Sequence, residues 1–146
     1  MADINEKMKN YIRFEFKGIP QNESLARSVA AAFIASYDPS LEEIADVRTA
    51  VSEAVTNAII HGYRDREGSV VMECSLDGSL LTVTITDRGR GITDIKKAMQ
   101  PFYTEGDESE RTGMGFAVMQ AFMDELLVES TPGKGTKVML RKRLFV

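Results

Sequence analysis

The sequence predicts an α+β fold, a two-layer α/β sandwich in which a mixed, mostly antiparallel sheet packs against helices on one face. Three observations predict it. Apolar residues alternate with period two in three stretches, the mark of half-buried strands, and two further segments read as a closing strand pair. Helical patterns come in groups rather than one between each pair of strands. Most of the strands are neighbours in sequence, joined by turn-forming residues.

Residues 11–17 alternate Ile12, Phe14 and Phe16 against Arg13, Glu15 and Lys17, so a strand with one buried face is expected. Gly18-Ile19-Pro20 ends it. From Asn22 a helix follows, with Leu25, Val29, Phe33 and Ile34 on one side. Asp38-Pro39 breaks this helix, because proline disfavours the helical region in the residue before it. Ser40 and Glu43 form a capping-box pair for a second helix over about 41–61, whose apolar residues are Ile44, Val47, Val51, Val55 and Ile59. Gly62 is placed to end it as a C-terminal glycine. Residues 68–76 and 80–86 both alternate around Asp77-Gly78-Ser79, a hairpin signal. Residues 94–99 suit a short helix, and 101–111 a polar, mobile loop. A third helix from about Gly113 carries Met114, Val118, Phe122 and Leu126, and residues 127–130 and 136–142 make a last strand pair.

Length and composition narrow the class. With 146 residues, 43% of them hydrophobic and 27% charged, the chain resembles one ordinary globular domain. It has no repeat and no linker long enough to divide it, so residues 1–146 are expected to be a single domain. A net charge of −4 argues against a nucleic-acid partner, which needs a basic footprint. The single cysteine, Cys74, cannot form an internal disulfide, and its alternating surroundings suit a strand residue. No apolar run approaches the roughly 18 residues of a membrane span, and the N-terminus lacks an apolar signal region. A cytoplasmic protein without membrane association is expected.

Four short motifs could carry chemistry. Glu53 and Asn57 lie four apart on the long helix and so share a face, with His61 extending the stripe. They form either an exposed polar edge or a metal–phosphate site. In the second case Asn57 offers an amide oxygen to Mg²⁺ and Glu53 orients or deprotonates an attacking hydroxyl. With one histidine and one distant cysteine, zinc is disfavoured. Asp87-Arg88-Gly89-Arg90-Gly91 follows a strand. It is either a plain turn or a site where the carboxylate accepts from an exocyclic amine, such as that of adenine, while Gly89 and Gly91 let the backbone approach the base. Arg111-Thr112-Gly113-Met114-Gly115 leads into a helix whose free N–H groups suit an anion, with Arg111 as a possible clamp. It fails the dinucleotide-binding pattern, and no P-loop occurs. Gly133-Lys134-Gly135-Thr136 suits a tight hairpin, and Thr136 could also hold a base from behind.

The order of these motifs resembles the Bergerat-fold superfamily: an acidic-x-x-x-Asn helix, Asp-x-Gly-x-Gly, Gly-x-Gly at a helix start, then Gly-Thr in a hairpin. Within it, the segment from Ser52 through Glu53, Asn57 and His61 to Tyr63, the run Gln21 to Arg27 and Thr112-Gly113-Met114-Gly115-Phe116 are similar to the small bacterial anti-sigma serine kinases, the sporulation type above all. The resemblance implies a serine kinase using ATP (or ADP) and Mg²⁺. It assigns Glu53 as catalytic base, Asn57 as Mg²⁺ ligand, Asp87 as adenine reader, and Gly113 and Gly115 as phosphate holders under a lid over 101–112. Arg111 would reach the outer phosphates. It further implies a sigma factor as partner, an anti-anti-sigma protein as serine phosphoacceptor, a homodimer whose contact surface includes the first strand, and Arg27 as a partner-contact residue. No role follows for Arg88, Arg90 or the acidic lid residues. A nucleotide-gated binding module without turnover and a general-stress relative are the competing readings. A histidine-kinase catalytic half would need a separate phosphoacceptor domain.

Overall fold

The computed structural model describes residues 9–63, 67–100 and 115–145. Its centre is a five-stranded sheet in the order β1 (Asn10–Lys17), β2 (Ser69–Asp77), β3 (Leu80–Asp87), β5 (Gly135–Arg143), β4 (Glu125–Thr131). All four pairings are antiparallel, so the expected antiparallel character holds throughout. β1 lies at one edge, as the alternation over 11–17 suggests. The β2–β3 turn carries Gly78 at φ +61°, the positive φ that a two-residue hairpin needs at its first central position.

One face of the sheet is dry. Phe16, Val70, Met72, Cys74, Leu76, Leu81, Val83, Ile85, Val138 and Leu140 alternate inward and are buried. Burial pushes the Cys74 thiol up to about 12, so it stays protonated, as suits a strand residue in the core. Against this face lie α1 (Gln21–Ala35), α2 (Leu41–Thr56) and α4 (Gly115–Phe122); the short α3 (Ile95–Ala98) follows β3. α2 is the central helix. Its Val47, Val51 and Val55 are fully buried, and each contributes about 1.5–3 kcal/mol through burial. The capping box forms: Ser40 Oγ accepts from Glu43 N at 3.1 Å and Glu43 Oε1 from Ser40 N at 2.9 Å. The other Glu43 oxygen accepts from Phe145 N at 2.8 Å, tying the C-terminal segment to the start of α2.

Three details depart from the pattern-based expectation. α1 buries Ala26, Ala30, Phe33 and Ile34, whereas Leu25 is half exposed. The small alanines let α1 pack against α2, and that rotates the apolar-looking Leu25 outward. α4 buries Phe116 and Met119, not Val118 and Phe122, and Leu126 belongs to β4. Finally, α2 does not run on to His61 in α form. It changes at Asn57 into a π-helical turn, Asn57–Gly62.

Candidate functional site

The π turn, the end of β3 and the start of β5 enclose one pocket of ≈ 520 Å³, counting its space open to solvent. Ala54 and Ala58, one turn apart, keep the helix wall shallow, and Ile85, Ile92, Phe116 and Val138 supply apolar surface. The polar groups are few: Asn57, His61, Asp87, Arg90 and Thr136. The wide i→i+5 turn brings Asn57, Ala58, His61 and Gly62 to the same cavity. Single π turns inside α-helices occur mostly at functional sites.

Asp87 ends β3 and is the register partner of Thr136 on β5. Directly opposed residues of an antiparallel pair share a face, so the carboxylate and the hydroxyl stand side by side at the back of the pocket. Asp87 is buried, and its Oδ1 accepts from Gly89 N at 2.8 Å, a local turn that fixes the carboxylate. The following residues are clamped to the π turn. Arg90 N donates to Gly62 O at 2.9 Å, and Arg90 Nε donates to His61 O at 2.8 Å. A Cβ on Gly89 would lie 1.8 Å from Gly62 O, so only glycine permits this approach. Gly91, at φ +75°, turns the chain against Thr131. Gly62 itself is not a left-handed cap: its φ is not positive, and a Cβ on it would meet the Asp87 carboxylate at 2.7 Å. Its lack of a side chain makes room for Asp87, which is a tertiary requirement rather than a helix-ending one.

The other end of the pocket is built by the start of α4. A Cβ on Gly115 would lie 3.1 Å from Asn57 Nδ2 and 3.4 Å from Glu53 Oε2. The helix start therefore sits directly over the acid–amide pair. Asn57 Nδ2 is buried without a hydrogen-bond partner among the described residues. A buried amide is normally satisfied, so this donor fits a ligand that supplies an acceptor. Burial pushes the Glu53 carboxyl above the ordinary carboxylate range, and the charge of Glu23 pushes it the same way. Glu23 accepts from Ser52 Oγ and lies 3.9 Å from Arg27 Nη1.

Residues 17–142 match the family described as histidine kinase-like ATPase domain. An anti-sigma F factor of Thermoanaerobacter sp. (strain X514) is 56% identical over 133 residues, covering 91% of this chain and 93% of that protein. One of Clostridium novyi (strain NT) is 53% identical over 136 residues, covering 92% and 95%. The chain belongs to the anti-sigma F factor family. The solved RsbU and RsbW domains of Rv1364c from Mycobacterium tuberculosis share the fold at TM-score 0.68 and 22% identity; the match covers 92% of this chain and 32% of that one. The catalytic domain of the histidine kinase ThkA shares it at TM-score 0.50 and 11% identity, over 92% and 95%.

An anti-sigma F family chain thus carries a kinase-like ATPase domain, and nucleotide binding follows from that class. Of the residues singled out in the sequence, Asn57, Asp87, Gly91 and Thr136 line the one cavity, while Gly89 clamps it and Glu53 and Gly115 meet at its helix end. Arg27 lies apart on α1, beside Glu23. Arg111, Thr112, Gly113 and Met114 lie outside the described residues. Sequence reasoning missed the alanine wall, the clamping role of Arg90, and Ser130, whose hydroxyl lies 2.8 Å from that of Thr136. Only the spacing of Ala54 and Ala58, on the face shared with Asn57, offered a local signal. Among the described residues no helix is long and apolar enough to cross a membrane.

Proposed function

We propose that the chain is an ATP-dependent protein serine kinase that also acts as an anti-sigma factor. It binds and inhibits a sporulation sigma factor and phosphorylates a serine on an anti-anti-sigma antagonist. It works as a single domain over 1–146, in the cytoplasm, as a homodimer with the edge strand β1 in the contact. The observation that carries the kinase reading is the close approach of Gly115 to both Asn57 and Glu53. It joins an anion-favouring helix start to an amide oxygen and a carboxylate of raised proton affinity.

Adenine would lie at the Asp87–Thr136 end, and Gly89 and Gly91 let the backbone come close to it. Asn57 would hold Mg²⁺ through its amide oxygen. Among the described residues no three His, Cys, Asp or Glu side chains form a cluster able to hold a metal, so the ion would take most of its ligands from phosphates and water, as Mg²⁺ commonly does. When bound, the ion draws charge from the phosphates during transfer. Glu53 would accept the proton of the incoming serine hydroxyl, a task its raised pKa favours. Gly113 and Gly115, with Arg111, Thr112 and Met114, would hold the outer phosphates. Arg27 would contact the protein partner.

Labelled ATP, the protein and a candidate anti-anti-sigma protein test this directly. Labelled phosphoserine on the partner is expected, and Glu53→Gln should keep nucleotide binding while losing transfer. Equal transfer by Glu53→Gln would refute the base assignment. Nucleotide binding with no transfer by the wild type would leave the gated binding module as the correct description. Recovery of a sigma factor from a sporulating extract in one nucleotide state tests the anti-sigma half.

A further inference from the structure

Behind Thr136, which lines the pocket, stands a hydroxyl that the proposed function does not use. Ser130, near the end of β4, makes three contacts, one to the loop after β3 and two to the start of β5. Its Oγ accepts from Ile92 N at 2.7 Å, donates to Gly135 O at 3.0 Å, and lies 2.8 Å from Thr136 Oγ1. A serine hydroxyl has one proton and two lone pairs. If its proton went to Thr136, two bare oxygens, Ser130 Oγ and Gly135 O, would face each other at 3.0 Å. With the proton on the Gly135 side instead, both lone pairs are used, one by Ile92 N–H and one by the hydroxyl proton of Thr136. The Thr136 proton is then turned away from the cavity, and Thr136 presents lone pairs to it.

We propose that Ser130 is a specificity-determining residue: by holding the Thr136 proton it makes Thr136 an acceptor toward the pocket, so that the site favours a purine with a 6-amino group over one with a 6-oxo group. The inference rests on the assignment of adenine to the Asp87–Thr136 end. Asp87 is an acceptor there as well, with one oxygen already fixed by Gly89 N. A 6-amino group has two N–H bonds, which can meet these two acceptors directly or across one water. Hypoxanthine reverses the pattern, with an acceptor at position 6 and a donor at N1. An unmatched buried acceptor is what makes such a site reject the wrong ligand. Asp87 alone would supply part of the discrimination, and the locked hydroxyl of Thr136 the rest.

The test is calorimetric binding of ATP and inosine triphosphate, both with Mg²⁺, to the full chain and its variants. Wild type should prefer ATP. Ser130→Ala frees the Thr136 hydroxyl to rotate and donate, so the ATP-over-inosine ratio should narrow by about tenfold. Ser130→Thr, which keeps a hydroxyl, should hold the wild-type ratio. Thr136→Val, which deletes the acceptor and leaves Ser130, should narrow the ratio as Ser130→Ala does. Taking a ratio on one sample cancels any loss of folded protein. An unchanged ratio in Ser130→Ala, or no preference in the wild type, overturns this inference and leaves nucleotide binding standing. Failure of the wild type to bind either nucleotide overturns the assignment of adenine to this pocket as well.

Discussion

Replacing Gly115 by alanine separates the stability of the fold from its proposed chemistry. Gly115 is the first residue of α4 and needs no positive φ, so alanine fits its backbone. Losing glycine's unfolded-state freedom stabilises a helix by about 0.5–1 kcal/mol, roughly 1–4 °C in melting temperature for a chain of this size. The added methyl meets Asn57 Nδ2 at 3.1 Å, Asn57 Oδ1 at 3.3 Å and Glu53 Oε2 at 3.4 Å. The first two distances are tight, so the Asn57 amide must give by a few tenths of an ångström. Misplacement by about 1 Å can cost a hundredfold in rate, so a few tenths should cost roughly 3- to 10-fold. The assay pairs a thermal melt with single-turnover phosphoryl transfer from labelled ATP. The expected result is a melting temperature equal to or above wild type together with slower transfer. A wild-type rate would refute the claim that Gly115 presses on the reacting groups. A melting temperature that fell with the rate would assign the loss to folding instead.

Glu53→Gln should raise the melting temperature at neutral pH. The folded-state pKa of Glu53 is raised, so the stability linked to its protonation is complete below the ordinary carboxylate value and is lost as pH rises through the folded one. The gap between variant and wild type should therefore close as pH falls below the ordinary carboxylate range; a gap independent of pH would contradict the burial of this carboxyl. Gly89→Ala should cost about 3 kcal/mol in denaturant unfolding, because its Cβ would meet the Gly62 carbonyl oxygen at 1.8 Å and backbone cannot step aside. A near-neutral result would mean that the clamp between the π turn and the Asp87 loop is slack. Glu43→Ala should cost about 1–2 kcal/mol, since it removes half of the capping box and the acceptor for Phe145 N. A chain truncated after Leu144 should lose nothing further in the Glu43→Ala background, since Phe145 N bonds to Glu43; a further loss would mean that Phe145 contributes through other contacts.

Much of the fold was legible in local pattern. Period-two alternation located the first three strands, because a sheet with one dry face forces that spacing, and the turn residues 131–135 marked the last pair. Ser40 with Glu43 marked the start of α2, and Asp77-Gly78 marked a hairpin, because these residues meet their backbone requirements within a few positions. The family was legible from the order of four short motifs, each ambiguous alone. Leu25 and Phe122 misled, since helical spacing tells which residues share a face but not which face turns inward.

The sequence by itself thus determined the element types, the capped start of the central helix, and the motifs from which the nucleotide site is proposed. Tertiary structure decided the rest: that β5 inserts between β3 and β4 and sets Thr136 opposite Asp87, that the helix widens into a π turn at Asn57, and that Gly62 and Gly89 are fixed by the backbone and carboxylate pressed against them. The physical reason is range. Capping, alternation and turn chemistry are settled among neighbours a few residues apart. The donor or acceptor character of Thr136 depends on Ser130, Ile92 and Gly135, which reach it only once β4, β5 and the loop after β3 have packed together.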